Sequence, residues 1–366
     1  MTEREREILA LIRANPLISQ QSLADRLGIS RSAVAGHVMN LTAKGLIKGR
    51  GYVLTEAPFA AVIGGANVDI HGSPARALRM RDSNPGTVRS SPGGVARNVA
   101  ENLARLGVDT RLIAPLGNDA QGDLLEQQGR DAGIDMRCVY RVAGAQTSTY
   151  VSVLDDGGDM LVAISDMAIL GTLDAERLRA HESMLRQAAV IVLDTNLCDD
   201  AVAWLCSAFA GQPLFADTVS VAKASRLRPY LGSIHTLKPS LAEAEAIAGI
   251  SAATPQRLPG LAAWFHERGV KRLFISLGDG GVFYSTPGGC GLEPPLPADG
   301  ALRNASGAGD ALLAGLVYGW LRDWPLADAL RFGMAAAQLT LSYPGTINPD
   351  MSVAAVTRAQ GLRRAS

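Results

Sequence analysis

Apolar residues follow two rhythms in most of this chain. Unbroken apolar runs at Phe59–Gly65, Arg111–Pro115, Ala189–Leu193, Leu214–Ala216, Ile234–Leu237 and Arg272–Ser276 alternate with stretches of helical spacing. Those stretches are Gly94–Leu106, Gln121–Ala132, Ala201–Ala210, Leu241–Ala248 and Pro259–Arg268. Runs without polar alternation suit strands covered on both faces. The order therefore predicts an α/β fold, a doubly wound and mostly parallel sheet with helices on both sides. Such sheets bind ligands beyond their C-terminal strand ends. One segment breaks the rhythm. Thr147–Leu154 and Met160–Ile164 alternate around Asp155-Asp156-Gly157-Gly158, which predicts a hairpin. With the segment around Arg79–Arg89 it could form a small β-lid over a site, or it could be a surface hairpin or a dimer edge.

The first residues are patterned differently. Ile8, Leu9, Leu11 and Ile12 fall at helical spacing over residues 3–14, and Pro16 ends that helix. Ser19 caps a second helix over Gln20–Leu27, closed by Gly28, and Ser30 caps a third over Arg31–Lys44, ended by Gly45. Leu46–Leu54 reads as two short strands around Lys48-Gly49-Arg50-Gly51. Three helices and a basic hairpin describe a winged helix-turn-helix. Glu56-Ala57-Pro58 reads as a linker, giving domains of residues 1–56 and 57–366. Residues 21–34 resemble the helix-turn-helix of bacterial regulators. The resemblance implies a third helix in the DNA major groove and a wing on the phosphates. Arg31, Ser32, His37 and Lys44 would serve the helix, and Lys48 and Arg50 the wing. A winged helix that binds protein instead remains open.

Composition narrows the classes. The 366 residues carry 35 Lys+Arg against 35 Asp+Glu, so global charge argues for neither nucleic acid nor membrane. Four cysteines, far apart and without a CxxC pair, suit reduced thiols in a cytoplasmic protein. Glu3 to Glu7 are charged where a signal peptide would be apolar, and no apolar run reaches membrane-spanning length.

The chemistry gathers at glycines. Asn304-Ala305-Ser306-Gly307-Ala308-Gly309-Asp310 precedes an apolar helical stretch. Small residues there let N–H groups approach an anion at a helix start, and Asp310 beside it could take a proton from a hydroxyl. The same stretch could be a plain turn with Asp310 complementing the helix dipole. Asp69 follows the first strand and could accept from two sugar hydroxyls, or serve as an Asx-turn acid. Gly93-Gly94 opens a helix with Asn98 one turn on, a donor and acceptor in one side chain. Glu243 stands on a first helical turn, where it could hold Mg²⁺ through water or only oppose the dipole. Ser276-Leu277-Gly278 and Gly281 form a glycine-rich turn after a strand.

Together, Asp69, Gly93-Gly94 with Asn98, Ser276-Leu277-Gly278 and Gly307-Ala308-Gly309-Asp310 resemble, in order and spacing, the pfkB/ribokinase family of sugar and nucleoside kinases. The resemblance spans residues 58 to about 355. It implies a ribokinase-like sheet with a β-lid, and transfer of the ATP γ-phosphoryl to a primary hydroxyl. Asp310 would be the base, the N–H groups of Gly307, Ala308 and Gly309 the anion hole, and Asp69, Gly93, Gly94 and Asn98 the acceptor side. Ser276, Gly278, Gly281, Gly307 and Gly309 would meet nucleotide, and Glu243 would order Mg²⁺. Two positions depart from the family. Ser240 stands where Asn-x-x-Glu is usual, and Asn304 where an aspartate often serves a monovalent cation, which leaves K⁺ activation open. Asp82-Ser83-Asn84-Pro85-Gly86, Ala163–Met167 and Ile234–Pro239 further resemble bacterial pseudouridine kinases, some of which carry an N-terminal helix-turn-helix. On that basis Asp82, Ser83, Asn84, Thr149 and Asp166 could reach a nucleobase, or could pin the lid or a lid–lid homodimer. Another nucleoside or a free sugar as acceptor, and a nucleoside-sensing regulator on a kinase fold, are the alternatives.

Overall fold

A computed structural model describes residues 1–48, 58–157, 159–252, 254–296 and 306–361. Arg50, Asn304, most of the wing and Glu56-Ala57 fall outside them. The chain divides into two compact units, Met1–Ala57 and Pro58–Ser366.

In the first unit the helices are α1 (Glu3–Ala14), α2 (Gln20–Leu27) and α3 (Arg31–Ala43). Ser19 and Ser30 each accept an N–H of the helix they cap, and Gly28 closes α2 at φ 64°. Thr2 and Glu5 form a reciprocal capping box on α1. Ile8, Ile12, Leu23, Val34 and Leu41 are fully buried between the three helices.

The second unit contains, in chain order, strands β1 (Phe59–Ile63), β2 (Asn67–Pro74), β3 (Gly86–Gly93), β4 (Asp109–Ile113), β5 (Pro115–Gly117), β6 (Tyr140–Val142), β7 (Thr149–Leu154), β8 (Met160–Asp166), β9 (Val190–Asp194), β10 (Leu214–Asp217), β11 (Thr236–Lys238), β12 (Arg272–Ser276), β13 (Val282–Thr286) and β14 (Gly289–Glu293). The main sheet has the order β14-β13-β12-β11-β10-β9-β1-β4. From β12 to β4 every pairing is parallel, while β13 and β14 close one edge as an antiparallel hairpin. That hairpin was not expected from the apolar runs, because Gly289-Cys290-Gly291 carries no strand pattern. Phe59, Ala61 and Ile63 pack into one core and Ala60 and Val62 into the other, which is why β1 is apolar at every position.

A second sheet, β3-β2-β7-β8, is the expected lid, enlarged by one strand. The segment after Gly64-Gly65 reads as a polar turn, yet from Asn67 it is β2, paired with β3 and β7. Asp69 lies opposite Tyr150, and Val68 opposite Thr149. Since alternate residues share a face, Asn67, Asp69 and His71 stand with Tyr150 and Ser152. Thr149 and its β8 partner Asp166 stand on the other face, with Val68 and Ile70.

Candidate active site at the strand ends

The parallel strands deliver acids and a lysine to their C-terminal ends. β9 ends in Asp194, β10 in Asp217 and β11 in Lys238, all nearly inaccessible to solvent. Asp194 Oδ2 accepts the N–H of Gly65 (2.9 Å) and of Ala96 (3.0 Å). It thereby ties the turn after β1 to the start of helix Val95–Arg105. A Cβ on Gly64 would lie 2.4 Å from the Asp194 carboxyl carbon. Gly94, at φ 98°, would put a Cβ 2.4 Å from Gly65 O. Both glycines exist for close backbone approach. Gly93 has another reason: its missing Cβ leaves room for the Asp69 carboxylate, whose Oδ2 is 2.2 Å from that position.

Helix Ala308–Trp320 points its N-terminus at this cluster. Gly307 caps it at φ 82°, where a Cβ would lie 2.1 Å from Thr346 O. The first N–H groups of a helix have no acceptor within it and carry its positive end. Asp310, on the first turn, is 8% exposed. Its Oδ2 accepts Nδ2 of Asn98 at 2.8 Å, so the two helices meet through catalytic candidates. Burial, with Asp217 and then Asp194 nearby, raises the Asp310 carboxyl to about 7, against the pull of Asn98 and Lys238.

Lys238 Nζ lies 2.9 Å from Asp217 Oδ2 and 2.8 Å from where a Gly309 Cβ would be. The ammonium thus sits against the helix start. Asp217 Oδ2 is an ion-pair partner by distance but has no aligned hydrogen bond among the described residues. Burial pulls the Lys238 pKa down, but Asp217, Asp310 and Glu243 outweigh it and the net shift is upward, so the lysine remains charged. Glu243 Oε2 accepts the Ser240 N–H (2.7 Å) and the Thr218 hydroxyl (2.6 Å). Ser276 N–H reaches Pro239 O at 3.0 Å, which brings the glycine-rich turn beside Glu243's helix, Leu241–Ala248. Gly278 and Gly281 have φ of 59° and 84°, and a Cβ on Gly281 would lie 2.2 Å from Glu293 O.

The acceptor candidates divide. Asp69 is held by Asn67 Nδ2 at 2.6 Å, and burial raises its pKa above the usual carboxylate value. Arg97, fully buried and paired with Glu101, lies behind Asn98. In the lid loop, Asn84 Oδ1 accepts Arg79 N–H (2.8 Å), and Nδ2 donates to Arg79 O and Asp82 O (3.0 Å each). Asp82 accepts the N–H of Ser83 and both are exposed. Thr149 donates to Gln121 Oε1 at 2.9 Å, and Asp166 is exposed. In the first unit, Arg31, Ser32 and Lys48 are exposed and His37 half-buried. Lys44 Nζ pairs with both oxygens of Glu5 at 2.8 Å, so it ties α3 to α1.

Sequence reading missed Asp194, Asp217, Lys238 and Thr218. The signal was present: an acid or lysine ends each of three buried apolar strands.

The arrangement suits one kind of chemistry. A helix start and a buried ammonium can hold phosphoryl oxygens, and a carboxylate with a pKa near neutrality can deprotonate a hydroxyl. Residues 57–353 match the pfkB family of carbohydrate kinases. The chain belongs to that family. As a pfkB kinase it is a phosphotransferase with an alcohol acceptor, built on a ribokinase-like fold. Residues 1–48 match a winged helix-turn-helix DNA-binding family. An uncharacterized sugar kinase of Escherichia coli, YeiI, is 38% identical over 96% of this chain and 97% of its own length. The pseudouridine kinase of the same organism is 40% identical over 83% of this chain and 96% of its own. The structure of Arabidopsis thaliana ribokinase with ribose and ATP is 25% identical, with a TM-score of 0.76 over 83% of this chain and 99% of that one.

Proposed function

We propose that this kinase transfers the ATP γ-phosphoryl to the 5′-hydroxyl of pseudouridine, giving pseudouridine 5′-phosphate. The observation that carries the chemistry is Asp310, buried at a helix start and hydrogen-bonded to Asn98. With its pKa raised to about 7, it is a competent base at neutral pH. The acceptor oxygen attacks the γ-phosphorus, the bond to the bridging oxygen of ADP breaks, and the hydroxyl proton passes to Asp310. The N–H groups of Gly307, Ala308 and Gly309, with Lys238, stabilise the charge on the transferring group. Asp69, Asn98 and the Gly93-Gly94 backbone hold ring hydroxyls, and Ser276, Gly278 and Gly281 border the nucleotide. Among the described residues no cluster of three His, Cys, Asp or Glu could cage a metal. Glu243 would meet nucleotide-bound Mg²⁺ through water, and the ion would supply neutralisation of phosphate charge.

The acceptor follows the pseudouridine kinase relative, and an ADP-release panel tests it. Pseudouridine is expected to show the highest kcat/KM among pseudouridine, uridine, adenosine and ribose. Ribose or adenosine in first place would replace the reading with a kinase for a sugar or another nucleoside. One observation favours that alternative: Asn84 and Thr149 already make hydrogen bonds within the protein.

The first unit binds DNA through Arg31, Ser32, His37 and Lys48 in this proposal, as part of a cytoplasmic homodimer that senses nucleoside. Among the described residues no helix is long and apolar enough to cross a membrane. Replacing Lys48 with Ala should reduce the salt slope of binding to DNA upstream of the gene by about one. Binding without salt dependence would contradict it.

A further inference from the structure

The loop after β10 holds the most improbable backbone near the site. Val219, a β-branched residue, stands at φ 58°, a conformation such residues rarely adopt. Four hydrogen bonds enforce the turn or use it. Asp217 Oδ1 accepts the Val219 N–H at 2.8 Å. Thr218 O accepts the Ser220 N–H and the Thr195 hydroxyl, each at 2.6 Å. The Thr218 hydroxyl, fully buried, donates to Glu243 Oε2 at 2.6 Å. Strain of this kind persists only where the surroundings over-determine it, and it gathers at functional sites. Here its visible consequence is the placing of the Thr218 hydroxyl. The side-chain hydrogen bonds of Glu243 among the described residues all end on Oε2, from Thr218 and from the Ser240 N–H. Oε2 is thereby the oxygen committed to the protein.

We propose that Thr218 is a positioning residue for the metal–triphosphate end of the reaction. Its hydroxyl, fixed by the strained turn at Val219, ties down one oxygen of Glu243 and presents the other to water on nucleotide-bound Mg²⁺. The inference rests on the kinase reading above. Thr218 also supplies a second anchor for the Glu243 carboxylate beside the N–H of Ser240, with which Glu243 forms a reciprocal capping box.

The test compares wild type, Thr218→Val, which removes the donor, and Thr218→Ser, which keeps it. Melting temperature is followed with a non-hydrolysable ATP analogue as Mg²⁺ is titrated, alongside the Mg²⁺ dependence of ADP release. The Val variant should need about tenfold more Mg²⁺ for half its effect in both readouts, with the acceptor KM unchanged. The Ser variant should match wild type. If Thr218→Val does not accumulate, Thr218→Cys, a similar volume with a weak donor, takes its place. An unchanged Mg²⁺ midpoint in the Val or Cys variant, beside a responsive wild type, overturns this proposal alone, as does a Ser variant shifted as far as Val. A wild type with no Mg²⁺-dependent nucleotide effect and no ADP release on any acceptor overturns the kinase reading with it.

Discussion

Asp194, Asp217, Lys238 and Asp310 at the strand ends are each at most 8% exposed, and their partners come from distant parts of the chain. Asp82, Ser83 and Asp166 on the lid are exposed, and the side-chain hydrogen bonds of Asp82 and Asp166 reach only one or two residues along. The first group cannot move without leaving a charge buried and uncompensated, so its geometry is fixed before any substrate arrives. The second can rearrange at little cost. In the function proposed above, phosphoryl transfer and the grip on the ring hydroxyls fall to the rigid group, and nucleobase choice to the softer lid.

The largest effects should fall on the rigid group. Asp310→Asn should lower kcat by about a hundredfold or more, measured as ADP release. Lys238→Met leaves Asp217 buried without its counter-charge and should destabilise the fold by about 3–5 kcal/mol, measured by denaturant unfolding. Gly307→Ala, which forces a Cβ into Thr346 O at positive φ, should cost about 1–3 kcal/mol as well as activity. On the lid, Asn84→Ala should change the acceptor KM by less than about tenfold with kcat preserved, since only loop order is lost. A kcat collapse in that variant would erase the contrast between the two regions.

Stability should answer the same contrast with the opposite sign. Asp310's folded pKa is raised above the ordinary carboxylate value, so the folded state binds this proton more tightly. Its contribution to stability is therefore present at low pH and is lost as pH rises from about 4 through about 7. Asp310→Asn, though slower, should melt higher than wild type at pH 8, by roughly 2–4 °C for each kcal/mol relieved. The difference should vanish near pH 4.

Much of this was legible in the chain. Phe59–Ile63 and Arg272–Ser276 announce buried strands because both faces are covered, and Ser19, Gly28 and Ser30 mark helix ends through capping chemistry. Gly307 to Asp310 could alone be a plain turn, and it stood out through its company, Asp69, Gly93-Gly94 and Asn98. The lid register was not legible: one residue of slip exchanges faces, and only the pairing of Asp69 with Tyr150 puts Thr149 on the opposite side. Asp194 and Asp217 were passed over because a terminal acid on an apolar run looks like an ordinary strand end. Their significance comes from partners about a hundred residues or twenty residues away, Ala96 and Lys238.

The pH dependence of kcat/KM for pseudouridine phosphorylation, measured with wild type and Asp310→Asn, decides whether Asp310 is the base. Wild type should show an acid limb with its midpoint near 7, where Asp310 loses its proton, and the variant should keep a residual activity that lacks this limb. A variant with near-normal rates, or one that keeps the same acid limb, would contradict Asp310 as the base.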